Sequence, residues 1–580
     1  MIPNKTANNR TRLRIGVVGA FFMAALVVIS FQAVRLHVYK GAWLSEKAAR
    51  QYERAMVVQG RRGTITDRNG SPLAMSIDSP SIAAYPHRIK DIRSATKRLA
   101  KALNQPREHI LDKLASKRNF IWLKRQATPR QADAVRALEI KGVDFINEHK
   151  RYYPGKTLAA QLVGFSGIDG HGLEGMEFSF DSHLKGRERE ISFVRDALGR
   201  RFKDARIPLN LASGNNVVLT IDQTIQHIAH KALAASVETH QAKSGMAVVM
   251  APASGEVLAL AHYPFFNPNS YGDFDRQLWR NRAVTDQFEP GSTMKIFSVA
   301  AAIDSGVCAP STIFYCEKGS YHIGRNTIHD TKSHGWLSLQ QIVKYSSNIG
   351  SVKMAEQLGA RELYNYLRAF GFGQRSGINC PGETAGSVSS YKVWSAMDTA
   401  AIAFGQGISV SALQLTAAAA AISNDGLLMK PLLVKAVTDS RGRTLKRYSP
   451  EPVRRVISAQ SAATMRRILK TVITEGGTGV KAAVDGYTAG GKTGTAQKID
   501  ETGTYAADRY VSSFIGFVPV EHPELVILVV VDEPQVQRYG GIVAAPVFRQ
   551  IALKSLTYLN IPPGTDATRL RVSREHRADG

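Results

Sequence analysis

Between Ile15 and Val34 the chain is apolar except for Ser30 and Gln32, and a run of about 20 such residues is the length that crosses a bilayer as a helix. Lys5, Arg10, Arg12 and Arg14 precede it, so the short N-terminus is expected in the cytoplasm and the rest of the chain outside. The run exceeds the roughly 7–15 apolar residues of a cleaved leader, and no A-x-A site follows before Arg35. It reads as an uncleaved anchor. Behind it, a chain of 580 residues with 44% apolar content has material for several buried cores.

The chemistry is concentrated in three short strings, Ser292-Thr293-Met294-Lys295, Ser346-Ser347-Asn348 and Lys492-Thr493-Gly494. Each string alone is weak. S-x-x-K recurs at Ser94/Lys97, Ser182/Lys185 and Ser389/Lys392, and a K-S-G stands at Lys243-Ser244-Gly245. Only the first trio runs in the order that a nucleophile with its base, a proton relay and an oxyanion cradle require.

Local context supports the trio. Pro290-Gly291 before Ser292 reads as a turn opening a helix, and Met294, Ile296, Phe297, Val299, Ala300, Ala301 and Ile303 make that helix apolar enough to be buried. Positions i and i+3 share a helix face, which sets the Lys295 amine beside the Ser292 hydroxyl. Burial lowers a lysine pKa, so Lys295 can serve as general base. A plain capping serine with a solvated lysine is the weaker reading. Ser346 can pass a proton to a leaving amine, and Asn348 can hold a substrate backbone and the lysine; an ordinary helix cap is the bland alternative for such a string. Around Gly494 a ligand chain can lie along a strand edge, with Lys492, Thr493 and Thr495 binding a carboxylate, unless this is a glycine-rich hairpin of no function.

With these motifs in order, the sequence resembles the class B penicillin-binding proteins, most closely the septal (cell-division) peptidoglycan D,D-transpeptidases of Gram-negative bacteria. The likeness extends over nearly the whole chain. Arg62 to Gly70, Arg151-Tyr152-Tyr153-Pro154 and Gly172 to Glu177 resemble blocks of that family's N-terminal module. Phe404-Gly405-Gln406-Gly407, Asn424-Asp425-Gly426, Tyr539-Gly540-Gly541 and Ala545-Pro546-Val547-Phe548 resemble its transpeptidase domain.

The resemblance implies an α+β penicillin-binding transpeptidase fold, an antiparallel sheet flanked by helices, on an N-terminal pedestal of dimerisation type with one transmembrane helix. It implies that Ser292 attacks the carbonyl between two D-alanines of a stem peptide, with Lys295 the favoured base, although which group takes the proton is disputed for such enzymes. Ser346 would relay a proton within a network held by Asn348 and Lys492, and the N–H groups of Ser292 and Thr495 would form the oxyanion hole. Thr493, Gly494 and Thr495 would bind substrate, β-lactams would acylate Ser292, and no cofactor or metal is implied. A membrane glycan polymerase and other division proteins are the implied partners.

Other readings were open at this level. A class A β-lactamase needs an E-x-x-L-N string, and Glu383-Thr384-Ala385-Gly386-Ser387 is not one. A D-alanine carboxypeptidase would use the same residues, an elongation-type transpeptidase the same motifs, and a division scaffold needs no chemistry at all. A β-lactam sensor needs more than one span. A glycosyltransferase domain does not fit in the roughly 200 residues between anchor and catalytic part. The net charge of +27 is dispersed and comes with no nucleic-acid motif; the basic residues from Arg35 to Arg62 suit a solvated juxtamembrane helix or anionic lipid. Cys308 and Cys316 are near enough in sequence for a local bridge, but spacing alone fixes no geometry.

The expected layout is a cytoplasmic tail 1–14, an anchor 15–34, a polar, helical linker 35–60, a pedestal 61–213, a transpeptidase domain 214–561 and a flexible tail 562–580. Within it, Met246–Met250 and Val257–Ala261 form a hairpin and 413–422 an alanine-rich helix. Phe514–Val518 and Leu525–Val531 are sheet strands, and 498–509 is a mobile loop beside the cleft.

Overall fold

A computed structural model describes residues 5–41, 43, 53–186, 188–194, 213–500 and 503–564. The chain divides into two compact units, one of Met1–Gly60 with Gly186–Ser213 and one of Arg61–Lys185 with Gly214–Gly580.

In the first unit a helix runs from Lys5 to Val34 and continues as a π-helical turn, Arg35–Tyr39. Arg12–Tyr39 is long and apolar enough to cross a membrane, and none of its central apolar stretch is buried by the protein. The linker departs from expectation. Glu53–Gln59 is a strand, paired antiparallel with Glu188–Val194, because Val57 and Val58 favour extended backbone over helix.

The second unit is built on an antiparallel sheet of five strands, in the spatial order Gly490–Ile499, Tyr505–Val518, Leu525–Asp532, Ser244–Met250, Val257–Tyr263. Two of its middle strands are continuously apolar over Met246–Met250 and Leu525–Val531 because both faces are covered. Met246, Val248 and Met250 enter one core while Ala247 and Val249 enter the other, and Leu525–Val531 alternates likewise. One face carries the helix Ala412–Ser423, buried along its whole length. The other carries Gln223–Thr239 and the C-terminal helix Ala545–Tyr558.

Residues 498–509 are not a loop. The edge strand extends to Ile499 and its neighbour starts at Tyr505, with Ile499 opposite Tyr505. Val511 and the two tyrosines suit extended backbone, and the turn shrinks to 500–504, where the Thr504 N–H donates to Asp500 Oδ1 (3.2 Å). Residues 501–502 and the tail beyond 564 lie outside the described residues.

A second sheet of seven strands joins distant parts of the chain. Ile65–Thr66 lies parallel to Asn216–Leu219, which pairs in turn with Val434–Thr438, while the end of Pro72–Ala84 is flanked by Ile121–Lys124 on one edge and Val143–Tyr152 on the other. Three of the motif blocks then meet at one buried carboxylate. Glu177 is wholly inaccessible to solvent and accepts from Arg62 Nε and Arg151 Nε, both at 2.6 Å. Arg151 Nη1 also donates to the Gly63 carbonyl (2.7 Å) and Arg62 Nη1 to Asp181 Oδ1 (2.5 Å). These partners offset the cost of burying the charges, although Arg151 Nη2 has none among the described residues.

All three cysteines are buried and free. The Cys308–Cys316 bridge is not formed; the Cys308 thiol is directed to Gln357 Oε1 (3.7 Å) instead.

Candidate active site

Pro290-Gly291 opens a 3-10 turn, Gly291–Met294, that runs straight into the helix Lys295–Asp304, whose residues Lys295 to Ala302 are buried. The turn is pinned from behind. Gly291 N–H donates to the Gly405 carbonyl (3.0 Å), and a β-carbon on Gly405 would sit 2.1 Å from Gly291 O. The Phe404–Gly407 block is therefore backing for the Ser292 turn. Its glycine is there because two backbones touch.

Lys295 Nζ is the hub. It lies 3.1 Å from Ser292 Oγ, 2.7 Å from the Ser346 carbonyl, 2.7 Å from Asn348 Oδ1 and 3.4 Å from Ser346 Oγ. Desolvation lowers its pKa to about 7, with Asp330 opposing the shift. In the neutral amine, two N–H bonds suit the two carbonyl oxygens at 2.7 Å. The lone pair is then left for the proton of Ser292. Lys492, equally buried, places Nζ 2.8 Å from Ser346 Oγ; burial and the nearby Lys295 charge both push its pKa down. Two buried ammonium groups sharing one hydroxyl repel each other, so the site favours holding one positive charge rather than two.

Ser346-Ser347-Asn348 divides its labour. Ser347 is the helix cap, its Oγ accepting from Gly350 N–H (3.0 Å), while Ser346 and Asn348 on either side face Lys295. Ser346 adopts a left-handed conformation (φ 64°, ψ 36°) between the helices Leu339–Tyr345 and Asn348–Leu358. A non-glycine residue in that conformation is strained. Asp330 clamps the turn: it accepts from Ser347 Oγ (2.6 Å), Asn348 N–H (2.5 Å) and Ile349 N–H (3.1 Å). Sequence reading missed Asp330, which belongs to no motif and is set by the tertiary fold.

The third motif lies on the sheet edge, Gly490–Ile499, with Thr493 opposite Phe514 and Gly494 opposite Ser513. Thr493 Oγ1 donates to Thr478 Oγ1 (3.0 Å), and Thr495 Oγ1 accepts from Gly540 N–H (3.2 Å), which brings the Tyr539-Gly540-Gly541 block behind the strand. A β-carbon at Gly291 would lie 3.4 Å from Thr495 O and 3.5 Å from Ala496 N, so the Ser292 turn abuts this strand. Glu289, just before that turn, was also missed. It accepts from Gly407 N–H (2.9 Å) and from the Tyr505 hydroxyl (3.1 Å), and burial raises its pKa.

The stray matches lie apart from this cluster. Ser94 is on the helix Ile92–Leu103, Ser182 on Asp181–Leu184, Ser389 accepts from the Trp394 indole with Lys392 in the turn Tyr391–Val393, and Ser244 begins a sheet strand. Glu383 is committed to a turn, where it accepts from Ser376 N–H (2.6 Å) and Gly377 N–H (3.1 Å).

Comparison with known proteins agrees with this geometry. A family model described as the penicillin binding protein transpeptidase domain matches residues 245–553, and one described as the penicillin-binding protein dimerisation domain matches 57–219. The chain is 35% identical to the probable peptidoglycan D,D-transpeptidase PenA of Neisseria meningitidis, over 99% of this chain and 98% of that protein. It is 33% identical to the peptidoglycan D,D-transpeptidase FtsI of Escherichia coli K12, over 95% and 92%. A crystal structure of penicillin binding protein 3 from Mycobacterium tuberculosis in complex with aztreonam superposes with a TM-score of 0.68 at 31% identity, over 88% of this chain and 98% of that one. With a Ser-Lys pair beside a sheet edge, and with family models matching both a transpeptidase and a dimerisation domain, the chain belongs to the class B penicillin-binding protein transpeptidases.

Proposed function

We propose that the protein is a septal peptidoglycan D,D-transpeptidase, anchored by its N-terminal helix with the tail in the cytoplasm and the catalytic part in the periplasm. The observation that carries this reading is the Lys295 amine held between Ser292 Oγ and the acceptors of the second motif. Lys295 takes the Ser292 proton as Oγ adds to the carbonyl between two D-alanines. The resulting oxyanion is received by the N–H groups of Ser292 and Thr495. Ser346, bonded to Lys492, returns a proton to the departing D-alanine nitrogen as the C–N bond breaks. An amine from a neighbouring stem peptide then displaces Ser292 and completes the cross-link. Lys492, Thr493, Gly494 and Thr495 bind the terminal carboxylate. A β-lactam meets the same groups and stays on Ser292.

In this reading residues 61–213 are the pedestal and 214–561 the transpeptidase domain. A membrane glycan polymerase and other division proteins are the partners. Labelling with a fluorescent penicillin tests the chemistry. Wild type forms a persistent adduct, and Ser292→Ala forms none while melting at the same temperature. A well-folded wild type that takes no label would leave only a scaffold role.

A further inference from the structure

Away from the Lys295 network, a cavity of about 380 Å³ opens on the surface, lined among others by Ile313, Trp336, Ser311, Ser338, Gln340 and Gln341. No lining residue is charged, on a chain with a net charge of +27. Trp336 is 69% exposed and Ile313 62%. The indole is nonetheless held in place. Tyr315 and Trp336 are direct partners in the small two-stranded sheet Ile313–Tyr315/Trp336–Ser338, and their rings lie 5.0 Å apart. The Ser338 N–H donates to Gln341 Oε1 (2.8 Å), which fixes the polar wall as part of a capping box.

An exposed flat aromatic beside neutral amides and hydroxyls fits neither an anion nor a purely apolar ligand. It does fit a pyranose that carries an acetamido group: the ring's C–H face lies on the indole, and its hydroxyls and amide meet Gln and Ser. The cavity also has a fixed position relative to the chemistry. Gln340 and Gln341 stand in the first turn of the helix Leu339–Tyr345, and Ser346 caps its other end. Seven residues of helix set the two about 10 Å apart. A stem of roughly four residues before the scissile bond spans about 14 Å when extended, which exceeds that separation.

We propose that the Trp336 cavity is a subsite for the N-acetylated amino-sugar backbone of the donor strand. The proposal rests on the transpeptidase reading and adds a glycan contact to it. The enzyme recognises the strand as well as the peptide.

The test compares two substrates on the full-length protein: disaccharide-linked stem peptides and the same peptides without sugar. Trp336→Ala raises the ratio of KM for the sugar-linked over the free peptide by roughly tenfold, the loss of one good aromatic contact. Trp336→Phe, which keeps a flat ring, recovers most of the difference. An unchanged ratio overturns the proposal, and so does an unchanged ratio with loss of a co-purifying membrane protein, which would assign the patch to a protein partner. Penicillin acylation of wild type is the separate control. If it fails, the transpeptidase reading fails with it; if it succeeds while the KM ratio stays flat, only the sugar subsite is lost.

Discussion

At the scale of single residues, the site turns on where one proton resides. Lys295 is pushed to a pKa of about 7 by burial, and a base works only when it is unprotonated. The acylation rate of Ser292 by a penicillin should therefore fall about tenfold per pH unit below that value and level off above it. Stopped-flow acylation between about pH 5 and 9 reads this limb directly; a profile with no inflection near 7 would take the base role from Lys295. Lys295→Arg keeps the charge but cannot give it up, and should lower acylation by about 10²–10⁴. The Ser292–Lys295 pair was legible in the sequence because i,i+3 spacing is a local rule. Lys492 was legible only through its motif. Asp330 and Glu289 were not, because their roles come from segments that meet only after folding: the Asp330 loop at the second motif, and Tyr505 at Glu289.

At the scale of elements, the third motif depends on a strand with no room for a side chain. A β-carbon on Gly494 would lie 2.2 Å from Ser513 Oγ, 2.9 Å from Thr293 Cγ2 and 3.1 Å from the Pro290 carbonyl. The serine can rotate, but Pro290 O belongs to the backbone of the nucleophile turn. Gly494→Ala should cost about 1–3 kcal/mol of stability. By moving the strand against Ser292 it should also slow acylation by about 10²-fold. A thermal melt with an acylation rate measures both, and a variant that acylates at the wild-type rate would mean the strand tolerates a methyl group. The apolar strands Ser244–Met250 and Leu525–Asp532 were readable as continuous runs, as was the helix Ala412–Ser423. The 498–509 hairpin was misread because its charged and polar residues resemble a loop. Cross-strand hydrogen bonds decide its state, and no local pattern records them.

At the scale of the whole chain, the likeness to the family picked out separate blocks of sequence but hid how they are joined. Arg62, Arg151 and Glu177 come from three separate blocks, and their meeting at a solvent-free carboxylate is not written in any one of them. Glu177→Ala removes the carboxylate that two buried guanidinium groups share, leaving Arg62 with Asp181 and Arg151 with the uncharged Gly63 carbonyl, and should cost about 3–5 kcal/mol, read as a shifted denaturant midpoint. A loss under about 1 kcal/mol would show the cluster to be dispensable. The seven-stranded sheet has its own consequence, which concerns time rather than stability. Asn216–Leu219 has one side paired to Ile65–Thr66 and must wait for Val434–Thr438 to cover the other. At a synthesis rate of roughly 5–20 residues per second, that exposed flank stays open for about 10–40 s on every newly made chain. Asp222, which accepts from the Tyr558 hydroxyl (3.2 Å), waits longer still. A growing polypeptide of this kind cannot bank its first module early, and any factor that shields unpaired strand edges has its window there.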